Sequence, residues 1–295
     1  MIYNFTEEQK NKIIDRWGEK LYKKILKYLE IYSEKWVLCD FEFVEYYSVS
    51  IIFFCKSKLY GDCVLKINDS EDVSVIDFMS GYNALLDYNN SEKFCKLFEC
   101  DTDNQIMLIE RIIPGKMLKD EPSLEKRLEV FSDLFNGLHI EPKNPEIYVS
   151  HIDWICDICD KTDYTGKYEE LYLHALKAKE LCFEISKTYN RRLLLHGDLH
   201  YDNILLDKNG QYKIIDPSGV IGDPVFDTGR YILNEYWDNK TVEKVIKYFE
   251  KSLNIPDKII RQSFYIDTVL SNCWSVENDN AKLNDVKFAE SVLNT

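Results

Sequence analysis

The chain has 295 residues, 45% of them hydrophobic and 14% aromatic, so it can bury one large core or two medium ones and is not intrinsically disordered. Lys and Arg number 37 while Asp and Glu number 51, which gives a net charge of −14. Such a field repels nucleic acid and anionic membranes and attracts metal ions or cationic small molecules. The acidity is explained equally well as a device for solubility.

The N-terminus and the cysteines indicate a cytoplasmic protein. The chain does not open with a basic segment followed by an apolar one, so no signal peptide is expected, and no apolar run approaches the ~20 residues of a membrane helix. The nine cysteines are scattered, mostly in apolar segments, which is typical of reduced thiols. Cys156 and Cys159 form a CxxC without a second pair, which is weak evidence for a metal or redox site.

The first third of the sequence predicts a helix followed by an antiparallel sheet. Thr6 and Gln9 form a capping box, and apolar residues recur at helical spacing after it. Short runs rich in β-branched and aromatic residues predict strands at 38–46, 49–57, 62–68, 93–101 and 105–113. A helix is expected between the third and fourth of these strands, over residues 73–86.

After the Pro-Gly at 114–115 the sequence becomes mainly helical. Helices are predicted at 123–138, 147–160 and 168–189 and from 226 to the end, and two short strands at 203–207 and 212–216 are joined by a Lys-Asn-Gly turn. The sequence therefore predicts an α+β protein. Residues 1–113 would form a β-rich lobe, a hinge would lie near 110–115, and residues 114–295 would form a larger helical lobe.

Acidic, amide and imidazole side chains cluster in the stretch HGDLHYDNILLDKNGQYKIID, residues 196–216. Folding of the predicted hairpin brings Asn203, at the start of one strand, near Asp216, at the end of its partner. An amide oxygen and a carboxylate at one corner suit Mg²⁺, and Asp198 in the preceding loop could take a proton from an attacking hydroxyl. Phosphoryl transfer needs these parts; the alternative is a polar surface turn.

The segment HGDLHYDN followed by IIDPSGVIGDPVFD resembles the aminoglycoside phosphotransferases, small-molecule kinases of the protein-kinase-like fold. The Pro after Asp216 and the Gly-Asp-Pro a few residues on are similar to the streptomycin and hydroxyurea resistance kinase branch. The resemblance extends from about Cys63 to Tyr231. It implies a two-lobed fold in which an N-terminal antiparallel β lobe binds ATP or GTP with Mg²⁺, and a larger helical lobe carries catalysis and the acceptor site.

The resemblance also implies a role for each matching residue. Asp198 would be the catalytic base, Asn203 and Asp216 would bind magnesium, and Lys66 would bind the α- and β-phosphates. The backbone of Glu110, Arg111 and Ile112 would contact the purine. Asp227 would brace the catalytic loop, and His196 would pack against it. A lysine in an apolar strand is otherwise costly, although Lys66 could instead snorkel from an edge strand.

Two features depart from the family pattern. The loop VEYYSVSIIF has no glycine, so either its backbone approaches the phosphates less closely or the side chains of Ser48 and Ser50 help to hold them. Gly81 occupies the helix position where the family has a glutamate, so either Asp77 or Glu71 supplies the ion pair with Lys66 or the lysine is held less firmly.

The acceptor is expected in the helical lobe, whose later segments are rich in acids and aromatics. Carboxylates beside aromatic faces suit a cationic, hydroxylated small molecule. The residues expected to bind it are Asp267, Glu277 and Asp279, with Trp274 as a platform. The alternative is a solvated acidic helix end with Trp274 in the core.

The leading hypothesis is a Mg²⁺-dependent kinase that phosphorylates a hydroxyl of an aminoglycoside of the streptomycin type. Two alternatives stay open: a metabolic kinase of the same fold that acts on an amino alcohol or a sugar, and a nucleotide-binding pseudokinase. The missing glycines and glutamate favour the pseudokinase, whereas the intact Asp198, Asn203 and Asp216 argue against it. The oligomeric state is left open.

Overall fold

The computed structural model describes residues 3–45, 50–68, 74–235 and 238–295. The chain divides into two compact units, the first comprising Met1–Gly115 and Asp207–Lys213 and the second Lys116–Leu206 and Ile214–Thr295. The short segment Asp207–Lys213 thus belongs to the first unit, although the chain on either side of it belongs to the second.

The N-terminal part of the chain forms an antiparallel sheet with two helices. The elements are α1 (Glu7–Lys35), β1 (Leu38–Phe43), β2 (Ile51–Ser57), β3 (Gly61–Ile67), α2 (Val75–Tyr88), β4 (Leu97–Asp101) and β5 (Ile106–Glu110). The five strands pair in the order β1–β2–β3–β5–β4, and every neighbouring pair is antiparallel. The predicted sheet, with a helix inserted after its third strand, is confirmed.

Helix α1 begins at the predicted capping box, in which the Thr6 hydroxyl accepts from the Gln9 amide and the Gln9 side chain accepts from the Thr6 amide. Its apolar residues, among them Ile25 and Leu29, pack in one core with Phe53 of β2. The helix is interrupted at Gly18, whose φ of 84° is non-helical. That interruption was not predicted, because the apolar spacing continues on both sides of it.

Strand β3 determines where Lys66 lies. The side chains of Cys63, Leu65 and Ile67 are buried on one face of the strand, and alternation places Lys66 on the other face, where it is partly exposed. The backbone of Lys66 is paired with Ile52 of β2 and Met107 of β5. Because β3 is a central strand, Lys66 is not an edge-strand lysine.

The remainder of the chain is mainly helical, as predicted. The elements are β6 (Pro114–Met117), α3 (Leu124–Phe135), α4 (His151–Lys161), α5 (Glu169–Ser186), β7 (Leu193–Leu195), β8 (Ile204–Asp207), β9 (Tyr212–Ile214), β10 (Val220–Gly222), α6 (Val225–Asn234), α7 (Asn239–Ser252), α8 (Asp257–Val276) and α9 (Leu283–Leu293). Strands β7 and β10 pair antiparallel, and β6, β8 and β9 form a small sheet in that order. Strands β6, β7 and β10 were not predicted, since three or four residues are too few to show a period.

Helices α6 and α8 approach each other closely at Gly229. A Cβ atom on Gly229 would lie 2.3 Å from the carbonyl oxygen of Ser263 and 2.5 Å from Oδ2 of Asp267, so no larger residue fits here. The Gly229 amide donates to the Ser263 hydroxyl across the crossing at 3.2 Å. This close approach places the next residue, Arg230, directly against α8.

All nine cysteines are free thiols. In the part of the chain that the structure describes, no helix combines the length and the apolar character of a membrane span.

Candidate active site

A buried carboxylate, Asp227 at the start of α6, anchors the loop that follows β7. It accepts hydrogen bonds from the backbone amides of His196, at 3.0 Å, and Gly197, at 2.9 Å. Nε2 of His139 lies 2.9 Å from the same carboxylate. Burial disfavours the charged form of Asp227, but the His139 contact and the amide bonds outweigh it, and the pKa is lowered. The Asp227 carboxylate thus holds the backbone of this loop, and its predicted bracing of a catalytic loop stays a prediction.

His196 ties the loop to the hairpin. Its imidazole is fully buried; Nε2 donates to the carbonyl oxygen of Ile215 at 2.9 Å, and Nδ1 accepts from the amide of Asp198 at 3.1 Å. Because one ring nitrogen must donate and the other accept, the tautomer is fixed and the ring is neutral. Burial accordingly lowers the pKa of His196. Both ring nitrogens are therefore engaged within the protein, and the predicted packing role of His196 stays a prediction.

Asp198 lies at the tip of the loop with its side chain 42% exposed, so a substrate can reach it. Its Oδ2 lies 3.4 Å from Nε2 of His200 and 3.4 Å from Nδ2 of Asn203, and its Oδ1 lies 3.6 Å from Nε of Arg230. Desolvation opposes ionisation, but the contact with His200 and the charge of Arg230 outweigh it and hold the pKa of Asp198 well below its usual range. Near neutral pH the side chain is a carboxylate and can accept a proton.

Asn203 and Asp216 are linked through the hairpin. The Asn203 side-chain amide donates to the carbonyl oxygen of Asp198 at 2.9 Å, and the Asn203 carbonyl accepts from the amide of Ile215 at 2.9 Å. Asp216, the next residue, is exposed and has a φ of 60°. The hairpin thus brings the segments of all three predicted residues, Asp198, Asn203 and Asp216, together.

The oxygen atoms present here fit Mg²⁺. Within residues 3–45, 50–68, 74–235 and 238–295, no three or more His, Cys, Asp or Glu side chains are grouped so as to hold a metal alone. Mg²⁺ rarely uses such a cage and is usually held by one or two carboxylates, with substrate phosphates and water completing the octahedron. Asn203 and Asp216 are the side chains that would hold it.

Two of the residues predicted to hold the phosphates, Lys66 and Ser50, are described by the structure. Lys66 projects from β3, whereas Ser50 is buried and its hydroxyl donates to Oδ1 of Asn68. Ser48 and Glu71 lie outside the described residues. Asp77 is exposed at the start of α2, where it accepts a hydrogen bond from the Ser74 hydroxyl at 2.6 Å. The predicted roles of these residues in nucleotide binding stay predictions.

The segment predicted to meet the purine ends β5. The amide of Glu110 donates to the carbonyl of Lys96, and the amide of Arg111 donates to the carbonyl of Asp62. The Glu110 carboxylate binds the Lys213 ammonium group at 2.9 Å. Since both amide donors are engaged, a purine contact in this segment would depend on Ile112, which is buried, or on carbonyl oxygens.

The four residues predicted to bind the acceptor differ in their surroundings, and their role stays a prediction. Asp267 is buried and lies 3.1 Å from Nη2 of Arg230. Asp279 binds Lys167 at 2.6 Å, and Glu277 is exposed at the end of α8. The ring centroid of Trp274 lies 5.2 Å from the ring centroid of Trp154. It lies 5.4 Å from Cζ of Arg230.

Sequence reasoning missed a cavity of about 510 Å³ that begins at Asp198. Its walls are built by α6, α8, the turn after α8, and α9, and they include Arg230, Asn234, Ser275 and Lys282. One signal was available: Arg230 is a cation beside the apolar run Tyr231–Leu233, and a cation in an apolar strand also drew attention to Lys66.

A model of the aminoglycoside/hydroxyurea antibiotic resistance kinase family matches residues 61–279. The chain belongs to this family. Streptomycin 6-kinase of Streptomyces griseus is 28% identical over 138 residues, which cover 45% of this chain and 43% of that protein. The aligned segment is therefore less than half of the length of that relative.

Two solved structures show the fold. Choline kinase LicA from Streptococcus pneumoniae superimposes with a TM-score of 0.67 and 15% identity, covering 93% of this chain and 99% of its own. Aminoglycoside phosphotransferase APH(4)-Ia, in a ternary complex with ADP and hygromycin B, gives a TM-score of 0.63 and 17% identity over 90% of this chain and 96% of its own. The likeness confirms the predicted protein-kinase-like α+β fold class.

Proposed function

We propose that this protein transfers the γ-phosphoryl group of ATP or GTP, with Mg²⁺, to a hydroxyl group of a small molecule. The observation that carries the proposal is the position of Asp198, an ionised carboxylate that is open to solvent and hydrogen bonded to Asn203. The backbone carbonyl of Asn203 accepts from the amide of Ile215, the residue before Asp216. Membership of a kinase family supports the same reaction class.

In the proposed reaction the acceptor hydroxyl lies against the Asp198 carboxylate. Its oxygen forms a bond to the γ-phosphorus while the bond from that phosphorus to the β,γ-bridging oxygen breaks, and the nucleoside diphosphate leaves with the electron pair. The hydroxyl proton passes to Asp198. Mg²⁺ held by Asn203 and Asp216 would neutralise charge on the phosphates. The hydrogen bonds that Asp227 and His196 make with the loop would keep the Asp198 carboxylate in place.

We propose residues 1–113 as the nucleotide-binding lobe and residues 114–295 as the catalytic and acceptor-binding lobe. The position of Lys66 in the middle of an antiparallel sheet supports the first assignment. LicA binds AMP and APH(4)-Ia binds ADP in their solved complexes, which supports an adenine nucleotide as the donor.

Membership of the aminoglycoside/hydroxyurea resistance kinase family and the similarity to streptomycin 6-kinase support an aminoglycoside, in particular one of the streptomycin type, as the acceptor. The net charge of −14 also favours a cationic ligand, because it attracts positively charged molecules. The sugar alternative is favoured by a different observation, the balanced charge of the cavity beside Asp198. A pseudokinase has no use for an ionised base in this position.

The test is a transfer assay with the full chain, Mg²⁺ and either ATP or GTP. Streptomycin, hygromycin B, choline and simple sugars serve as acceptors, and mass spectrometry detects a gain of one phosphoryl group. We expect transfer to at least one acceptor, and none when EDTA is present. Nucleotide binding without transfer to any of them would favour the pseudokinase.

A further inference from the structure

Helix α5 carries apolar side chains on two opposite faces. One face packs against α4 and α8 and is buried, with Leu171, Ala178 and Ile185 among its residues. A surface helix normally presents charged or polar residues on the other face. The solvent side of α5 instead has an outer face of four large apolar side chains. They are Tyr172, exposed by 48%, Leu173 by 66%, Leu176 by 44% and Phe183 by 49%.

The outer face is one contiguous strip. Leu176 lies three residues after Leu173, four after Tyr172 and seven before Phe183, and these spacings place all four on one side of a helix. The Tyr172 ring packs against Tyr164 at 5.3 Å between centroids. The 18 residues of α5 make the strip about 27 Å long. A strip of this kind marks an interaction surface, whereas single exposed apolar residues do not.

Several charged residues beside the outer face are paired within the chain. These ion pairs join α5 to α4 and α9 and leave their charges satisfied. They are Lys177 with Glu290 at 2.9 Å, Lys179 with Asp160 at 2.7 Å, and Lys287 with Glu170 at 3.0 Å.

Two charges at the ends of the outer face are different. Glu169 is the first residue of α5, and Lys187 follows its last residue with helical φ and ψ of −67° and −30°. The two lie one helix length of 18 residues apart, which is about five turns, so both are on the side of Leu176 and Phe183. Both are exposed, and neither makes an ion pair with a residue that the structure describes. An acid at one end and a base at the other complement the same pattern in reverse.

We infer that the outer face of α5 is a two-fold symmetric interface between two copies of this chain, with their α5 helices antiparallel. This arrangement brings Glu169 of one copy opposite Lys187 of the other, and the symmetry repeats the pair at the far end. The same register brings Leu173 opposite Phe183, because both pairs are centred on residue 178. A parallel arrangement would place like charges together. A second copy necessarily supplies the complementary pattern, which any other partner would have to match separately.

The size of this contact predicts a dimer that dissociates. One pair of helices buries less than the ~1,600 Å² of a standard interface, so we expect a micromolar Kd. No residue of α5 lines the cavity beside Asp198, so the interface does not use the proposed active site. The inference is therefore independent of the proposed function, and its tests measure association alone.

Sedimentation of the full chain tests the association. Between about 1 and 200 µM, with a thiol reductant present, the mean mass should rise from one chain to two and no further. Leu173→Glu and Phe183→Glu should stay monomeric over this range, and circular dichroism checks that both are folded. Leu59→Glu is the matched control, since Leu59 is 62% exposed outside α5, and should dimerise like the wild type. A wild type that stays monomeric, or outer-face variants that still dimerise, would overturn the inference.

Charge reversal tests the antiparallel register. Glu169→Lys and Lys187→Glu should each weaken dimerisation about fivefold or more, because each creates a like-charge pair at both ends of the dimer. The double variant Glu169→Lys/Lys187→Glu should return to within about twofold of the wild type. The two single variants should also associate with each other when mixed. A double variant weaker than either single variant, or single variants that stay apart when mixed, would overturn the inference.

Glu180 allows a test in which the contact becomes stronger. It is exposed between Leu176 and Phe183, and in the inferred register it faces Leu176 of the second copy. Glu180→Leu makes the strip continuous, so the Kd of the dimer should fall at least about tenfold. Glu34→Leu, which replaces an exposed glutamate of α1, is the control and should leave the Kd unchanged. A Glu180→Leu dimer no tighter than that of the wild type would contradict the inferred register.

Discussion

Nη2 of Arg230 lies 3.1 Å from Oδ1 of Asp267, and both side chains are buried where α6 crosses α8. Burial raises the pKa of Asp267 to about 7, because it disfavours the carboxylate more than the charge of Arg230 favours it, and the carboxylates of Asp227 and Asp198 add to the rise. The folded protein therefore keeps a proton on Asp267 at pH values where the unfolded chain has released it.

The stability conferred by this proton should be complete below about pH 4 and lost as the pH rises through 7. Over that interval the free energy of unfolding should fall by up to about 1.4 kcal/mol per pH unit from this group. Asp267→Asn removes the titration, so its free energy of unfolding should fall less steeply. Urea denaturation of both proteins between about pH 5 and 7 measures the slopes; parallel slopes would contradict the assignment.

Asp198→Ala should abolish transfer and leave nucleotide affinity nearly unchanged, since the base acts on the acceptor. A loss of about 10²–10⁴-fold in kcat is expected for a positioned general base. Single-turnover kinetics and calorimetry with Mg-nucleotide measure the two quantities. Asp160→Ala, an exposed aspartate paired with Lys179, is the control and should keep full activity. Turnover of Asp198→Ala within a few-fold of wild type would remove Asp198 from the reaction.

Asp216→Asn should weaken metal binding more than Asn203→Ala, because it removes a full negative charge from the proposed ligand set. Activity is titrated against Mg²⁺ for both variants, and we expect the half-saturating concentration to rise more for Asp216→Asn. If both variants kept the metal dependence of the wild type, the proposed ligand pair would be wrong.

Lys66→Met keeps the volume of the side chain and deletes the charge proposed to meet the phosphates. Nucleotide affinity should fall about tenfold or more, that is, by about 1.4 kcal/mol or more, while the melting temperature stays the same or rises because a partly buried charge is gone. Lys56→Met, on neighbouring β2 and exposed, should bind nucleotide like the wild type. Full affinity in Lys66→Met would show that this lysine only packs against the sheet.

Local patterns predicted the elements that local interactions determine. The capping box of Thr6 and Gln9 marks the start of α1, and the Lys-Asn-Gly turn joins β8 to β9 as expected. The positions of Asn203 and Asp216 followed from that hairpin, since its register is set within a few residues. In each case the partners are close in sequence, so the spacing alone carries the information.

The cavity could not be predicted in this way, because its walls come from segments far apart in the chain. The sequence predicted that Asp267 binds the acceptor. In the structure α8 is buried along most of its length, and the Asp267 carboxylate contacts Arg230. The apolar spacing of α8 does not reveal which of its polar residues point into a cavity. That depends on the close approach at Gly229, which only the packed structure shows.

The assignment of Asp207–Lys213 to the first unit has a consequence for synthesis of the chain. These residues leave the ribosome well after Gly115. The first unit therefore cannot be completed while only the chain up to Gly115 has been synthesised. Until then Glu110 lacks Lys213, its partner at 2.9 Å. A fragment that stops at Gly115 would remain in that incomplete state, so the two units cannot be separated by a single cut. The first unit should be produced, labelled or exchanged between relatives only together with the segment Asp207–Lys213.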